Sequence, residues 1–135
     1  MTENEKKKQY LKGYEKTVRR MKRSELKIAE MRVNRMSPSV ILDGMPHASG
    51  CNDLSGYVAL LDHEERLYIK KRYLCIKKCK EITDKIEGLE NEDEKDVLLY
   101  RYIKLMKWED ICAEMNYSWR QTHYIHSRAL NNFRL

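Results

Sequence analysis

The chain has 135 residues, of which 36% are charged; its formal net charge is +6 at pH 7, and it contains only five Gly and two Pro. This length suits one ordinary domain, or a small module on a helical extension, and it is short for a catalytic domain of usual size. Many charged residues and few helix breakers favour an all-α protein over a sheet protein or a disordered chain.

The positive charge is concentrated at the two ends of the sequence. Residues 1–36 contain twelve Lys or Arg against five Glu, residues 97–135 contain six against three Asp or Glu, and residues 90–96 (ENEDEKD) are acidic. Basic ends of this kind are compatible with binding a polyanion. No segment is apolar enough for a membrane span or a signal peptide, so we expect a cytoplasmic protein with no membrane partner.

Two long amphipathic helices are predicted in residues 1–89. Residues 3–36 contain no Pro and one Gly, and their apolar side chains recur at helical spacing. Those positions are Tyr10, Leu11, Tyr14, Val18, Met21, Ile28, Met31 and Met36. A second apolar series begins near Leu54 and ends with the four-three spacing of a coiled-coil seam. The seam positions are Cys75, Cys79, Ile82, Ile86 and Leu89.

The connector between these helices is predicted at residues 37–56 (SPSVILDGMPHASGCNDLSG). It holds both prolines and three of the five glycines, and Asn52 and Asp53 could cap the following helix. The simplest arrangement is an antiparallel helical hairpin over residues 1–89. Its coiled-coil-like surface would serve as an oligomerisation arm, and we expect a homodimer formed through the long helices.

The cysteines and histidines do not predict a metal or cofactor site. The four Cys form no CxxC pair, and His47 with Cys51 falls short of the four ligands of structural zinc. Cys112, His123 and His126 are close in sequence but have no fourth ligand. We expect reduced thiols that fill the core, no cofactor and no enzymatic activity, since no nucleophile with a base and no phosphate-binding loop is present.

Residues 90–135 predict a compact module of three helices. The first covers about 92–105 and starts with the capping pair Asn91 and Glu94; it is expected to bury Val97, Leu98, Tyr102 and Leu105, or close neighbours of these residues. The second covers about 108–115, with Ile111 and Met115 inward. The third starts at Ser118, where Gln121 completes a capping-box pattern.

The last two of these helices have the outline of a helix-turn-helix. On the third helix Thr122, Ile125, Ala129 and Phe133 share one side, so the opposite side is polar, cationic and aromatic. That side is predicted to enter the DNA major groove, where Arg can take guanine acceptors. The predicted DNA-binding residues are Trp119, Arg120, Gln121, His123, Tyr124, Ser127 and Arg128. We expect His126 at the flank and Cys112 as a packing residue.

The segment DEKDVLLYRYIKLMKWEDICAEMNYSWRQTHYIHSRALNNFRL resembles region 4 of sigma-70-type factors, whose pattern includes a VLxLRY helix and a recognition helix ending RALxxL. The matching positions are Val97, Leu98, Arg101, Tyr102, Trp108, Glu109, Ile111, Met115, Ser118, Ile125, Arg128, Ala129, Leu130 and Phe133. Together with the long basic helix, the chain is similar to phage-encoded regulators of the RinA/ArpU type. Trp119 departs from the pattern, and sigma region 2 has no counterpart.

This resemblance implies a phage or prophage transcriptional regulator that binds double-stranded DNA near the nucleoid of a bacterial host cell. RNA polymerase is a second partner that the resemblance leaves open. Two alternatives stay open as well: an adaptor that binds RNA polymerase or another protein, and a packaging component similar to small terminase subunits.

Overall fold

A computed structural model describes the backbone of residues 1–36 and 50–135 and the side chains of residues 1–34 and 55–135. The described residues contain helices and no strand, which confirms the all-α prediction. The helices are α1 (Glu3–Leu11), α2 (Gly13–Met36), α3 (Gly50–Glu87), α4 (Glu92–Leu98), α5 (Trp108–Met115) and α6 (Trp119–Asn132). Among these helices, none is long and apolar enough to cross a membrane.

The chain divides into two compact units. Unit 1 comprises Met1–Val18 with Cys75–Leu135, and unit 2 comprises Arg19–Leu74. Unit 1 therefore joins the start of the chain and the end of α3 to the predicted C-terminal module. The division into a helical arm (residues 1–89) and a DNA-binding domain (residues 90–135) stays a prediction.

The predicted helix over residues 3–36 is interrupted after its first nine residues. Thr2 caps α1 through its side chain, and the interruption falls at Lys12, directly before Gly13. A Cβ atom at residue 13 would lie 3.0 Å from the flexible end of the Lys78 side chain, which can move aside. The periodicity prediction missed this break because the apolar spacing continues through it.

The predicted start of the second long helix is too late. α3 begins at Gly50, so residues 50–56 of the predicted connector are helical, and the capping role proposed for Asn52 and Asp53 is wrong because both residues are within the helix. Local capping preferences are worth only about 1 kcal/mol, whereas the rest of this helix is stabilised by packing. The remainder of the connector, including His47, lies outside the described residues, as does the side chain of Cys51.

The core of unit 1 joins α1, α3, α4 and α6. From α1 and the seam of α3 it contains Leu11, Ile82 and Ile86, all fully buried, and Leu89 follows directly after α3. The remaining buried members are Leu98, Tyr102, Ala129, Leu130 and Phe133. The predicted seam is thus buried except at Cys79, which is half-buried, and part of the surface that it contacts is the C-terminal module.

The predicted helix over residues 92–105 changes geometry near its middle. After α4 the chain forms a π-helical turn over Leu99–Ile103, closed by a bond from the Lys104 amide to the Leu99 carbonyl (2.9 Å). Leu105 then adopts a left-handed conformation with φ 56° and is exposed. The prediction that Leu105 is buried is therefore wrong, because the helix has ended before this residue.

In unit 2, α2 and α3 run antiparallel. Lys27 forms an ion pair with Glu64 (2.9 Å), and the Tyr57 hydroxyl donates to the Met31 carbonyl (2.5 Å). Ile28 and Leu61 are buried between them. This unit also exposes large apolar side chains on the outer surfaces of both helices, among them Leu26, Val33, Leu60, Ile69 and Tyr73.

Candidate nucleic-acid interface

The turn between α5 and α6 is short and well defined. Asn116 adopts a left-handed conformation (φ 58°, ψ 37°), which ends α5 and which Asn tolerates better than most residues. The Ser118 hydroxyl then accepts a hydrogen bond from the backbone N–H of Gln121 (3.1 Å) and caps α6. The predicted N-cap is confirmed. The capping box predicted from Gln121 is wrong, because the described residues show no bond from the Ser118 backbone amide to the Gln121 side chain, which is exposed instead.

The inward side of α6 agrees with the sequence pattern, with one addition. The side chains of Thr122, Ile125, Ala129 and Phe133 are buried, as predicted. His126 was expected at the flank, but it is only 6% exposed, so that expectation is wrong. The physical reason is its position on the helix, one turn after Thr122 and in the middle of the buried arc.

Most of the predicted DNA-binding side chains lie together on the outward side of α6. The exposed ones are Trp119, Arg120, Gln121, Tyr124, Ser127 and Arg128. Asn131 is also exposed on this side, seven residues after Tyr124, and was missed although its helical position places it there. The outward side therefore offers two guanidinium groups, two amides, a hydroxyl and a phenol, and it carries no acidic residue.

His123 belongs to an aromatic stack rather than to the freely exposed surface. Its ring centroid lies 4.3 Å from that of Trp108 and 4.5 Å from that of Trp119, and the side chain is only half-buried. Trp119 itself is 53% exposed. The stack holds the first turn of α6 against α5 and leaves about half of the Trp119 side chain exposed to solvent.

His126 is held as a neutral imidazole beneath the outward side. Its Nε2 atom lies 2.8 Å from the Tyr102 hydroxyl, and Trp108 packs edge-on against its ring with centroids 4.8 Å apart. Burial lowers the pKa of His126 to about 4, and the positive charges of Lys8 and Arg101 act in the same direction, as does His123. Burial also raises the pKa of Tyr102 to about 12, so the phenol keeps its proton.

Arg128 is partly oriented by a buried carboxylate. Glu94, which is only 2% exposed, accepts a hydrogen bond from Asn132 (2.9 Å), and its Oε1 lies 3.7 Å from the Arg128 Nε. The Arg128 guanidinium also lies 5.7 Å from the centre of the Tyr124 ring. These contacts hold Arg128 near the surface of α6 and offset part of its charge, so Arg120 is the less restrained of the two arginines.

The C-terminal end of α6 is fixed by α1. The ammonium group of Lys7, a residue that is only 6% exposed, donates to the carbonyls of Leu130 (2.9 Å) and Asn131 (3.4 Å). A cation at this end of a helix is also favoured by the helix dipole. Asn4 adds a bond from its side chain to that of Asn131 (2.8 Å). The N-terminal helix, expected to form part of a separate arm, thus supports the candidate interface directly.

The surroundings of α6 have an uneven charge. α5 exposes Glu109, Asp110 and Glu114, and the Tyr117 hydroxyl in the turn donates to Asp93 (2.9 Å). That bond raises the pKa of Tyr117. A polyanion approaching this module would therefore be attracted to α6 and repelled by the exposed side of α5.

The described residues contain no group of three His, Cys, Asp or Glu side chains arranged to hold a metal ion. The rings of His123 and His126 are instead engaged with Trp108. Cys75, Cys79 and Cys112 all have free thiols. Cys75 is buried, and the other two are half-buried. The histidine spacing that resembles a ligand pattern is the spacing of a helix with one buried side.

Residues 47–133 match one family model, whose description is "Protein of unknown function (DUF1492)". The match covers α3 and the C-terminal module as far as residue 133. Searches of curated proteins and of solved structures each give no match.

Proposed function

The chain belongs to the DUF1492 family, and we propose that it is a DNA-binding transcriptional regulator that uses α6 as a recognition helix. The observation that carries the proposal is the outward side of α6. This helix follows a tight turn and is capped by Ser118, and its outward side exposes Arg120 and Arg128 without any acidic residue. A helix presented in this way can enter the major groove, where an Arg reads guanine with two hydrogen bonds.

The individual residues would divide between base and phosphate contacts. Arg120 has no ion pair within the described residues and lies in the first turn of α6, the part of a recognition helix that meets the base edges. Arg128 is tied to Glu94, so a phosphate contact suits it better. Trp119 and Tyr124 are exposed and carry polar atoms that suit the sugar-phosphate backbone, whereas His123 is stacked on Trp108 and Trp119 and its Nε2 is buried, so we assign it a supporting role.

The resemblance to sigma-70 region 4 and to RinA/ArpU-type phage regulators adds the expectation that the DNA is a promoter or operator, with RNA polymerase as a second partner. A homodimer through the long helices is part of the same proposal. It draws support from unit 2, where Ile69 and Tyr73, one turn apart on α3, are each 65% exposed. Large apolar side chains that are this exposed favour burial against another surface.

Selection of bound fragments from a random double-stranded DNA library tests the proposal. An enriched motif with two-fold symmetry is the expected result, since two recognition helices of a dimer would face two half-sites. An unsymmetrical motif would support DNA reading but contradict the dimer. The absence of any enriched motif would contradict DNA reading and favour an adaptor role, and a ring of many subunits in solution would favour a packaging component.

A further inference from the structure

A basic groove lies within unit 2, between α2 and α3. Its volume is about 350 Å³, enough for a phosphate group, and its lining side chains come from both helices. They are Arg20, Arg23, Ser24, Lys27, Glu64 and Lys71. The groove thus combines four cations with a single carboxylate, a composition that favours an anionic ligand.

The carboxylate of the groove does not neutralise it. Glu64 accepts a hydrogen bond from Lys27 (2.9 Å), and this bond, with further help from His63 and Lys71, lowers the pKa of Glu64. Neither Arg20 nor Arg23 forms an ion pair with any described residue. Arg20 and Arg23 therefore line the groove without an ion-pair partner among the described residues, and the fork-shaped donor set of an arginine suits paired phosphate oxygens.

Ser24 supplies a second and independent observation. Its side chain is buried, with 4% exposure, and its hydroxyl has no hydrogen-bond partner. A buried hydroxyl without a partner is unfavourable unless a bound group completes it. Ser24 lines the groove together with the four cationic residues, so an anion bound there is a candidate acceptor for this hydroxyl.

We propose that this groove binds a phosphate group, held by Arg20 and Arg23 with Ser24 donating to one of its oxygens. The two sources of this chemistry are the DNA backbone and free phosphate. The backbone as the source rests on the proposed function, whereas the phosphate site itself does not. If DNA is the source, this unit adds a sequence-independent contact to the base reading proposed for α6.

The site is tested by titrating the full chain with inorganic phosphate while recording its amide NMR spectrum, against sodium chloride at the same ionic strength. We expect saturable shifts at Arg20, Ser24 and Lys71 with phosphate only. Arg23→Gln should weaken phosphate binding by about tenfold, the value of a charge-assisted bond pair. Arg66→Gln is the matched control, since Arg66 lies on α3 of the same unit and pairs with Asp62 outside the groove.

Ser24→Ala separates a ligand role from a structural role. Because the hydroxyl has no partner, its removal should leave the free energy of unfolding unchanged or raise it, while it weakens phosphate binding several-fold. Identical, unsaturable shifts with phosphate and chloride would overturn the proposal. So would unchanged phosphate affinity in both Arg23→Gln and Ser24→Ala.

A DNA arm distinguishes the two sources. If the backbone occupies the groove, Arg23→Gln should reduce the slope of log K against log salt concentration by about 1 and leave base preference unchanged. An unchanged slope would assign the groove to free phosphate. A failure of the wild-type chain to prefer any DNA sequence would contradict the recognition role of α6 but would leave the phosphate titration readable.

Discussion

As the pH is lowered, protonation linked to His126 should destabilise the protein before the Asp and Glu side chains are protonated. The imidazole is buried against Tyr102 and Trp108, and burial lowers its pKa from 6.5 to about 4, with Lys8 and Arg101 acting in the same direction. The unfolded chain therefore takes up this proton first. The stabilisation is fully present above pH 6.5 and is lost as the pH falls from 6.5 towards 4.

The size of this effect follows from the two pKa values of His126. Between them the free energy of unfolding should fall by about 1.4 kcal/mol per pH unit. From pH 7 to pH 5 the loss is about 2 kcal/mol. Hydrogen bonds that lower the pKa values of Glu64 and Glu81 act mainly below this range, and the raised pKa of Asp96 has the opposite sign.

Urea unfolding followed by tryptophan fluorescence measures this loss, because Trp108 contacts the His126 ring. His126→Gln keeps a polar side chain of similar size that does not titrate, so its stability should change much less over the same pH range. His63→Gln, at an exposed position in unit 2, is the matched control and should retain the wild-type slope. Equal slopes for His126→Gln and the wild-type chain would refute the reasoning.

Three further stability predictions use the same denaturation measurement. Leu11→Ala should cost about 2–5 kcal/mol because Leu11 is fully buried, whereas Leu26→Ala at an exposed site should cost less than about 0.5 kcal/mol; equal losses would contradict the packing of α1. Lys7→Met should cost about 1–3 kcal/mol by leaving two carbonyls of α6 without their donor, while Lys6→Met should have little effect. Asn116→Ala should cost about 1 kcal/mol and Asn116→Gly close to nothing; a larger loss with Gly would contradict the left-handed turn.

The C-terminal helices were predictable because their signals are local. Ser118 and Asn91 are capping residues at the helix starts, and the apolar series from Thr122 to Phe133 defines the buried side of α6. The same series contained the burial of His126, since residues 122, 126, 129 and 133 share one side of a helix. Because histidine is polar, His126 was placed at the flank of α6, although the helical periodicity placed it correctly on the buried side.

Contacts between distant segments could not be predicted in this way. Nothing near Lys7 in the sequence indicates that it bonds to the end of α6, more than a hundred residues later, or that Glu94 accepts from Asn132. The apolar pattern of a long amphipathic helix indicates that one side of the helix is buried, but it does not indicate which surface covers that side. The seam of α3 was therefore predicted to pack within a helical hairpin and in a dimer, and its burial with Phe133 of the C-terminal module was missed.

The measurement that tests the recognition role of α6 most directly is the ratio of affinities for a selected DNA site and a scrambled site, for the wild-type chain and Arg120→Ala. The ratio should fall by about 5- to 150-fold in Arg120→Ala, the value of about 1–3 kcal/mol for one bidentate base contact. Arg134→Ala, which removes the same charge beyond the end of α6, should leave the ratio unchanged. An equal ratio for all three proteins would contradict base reading by this helix.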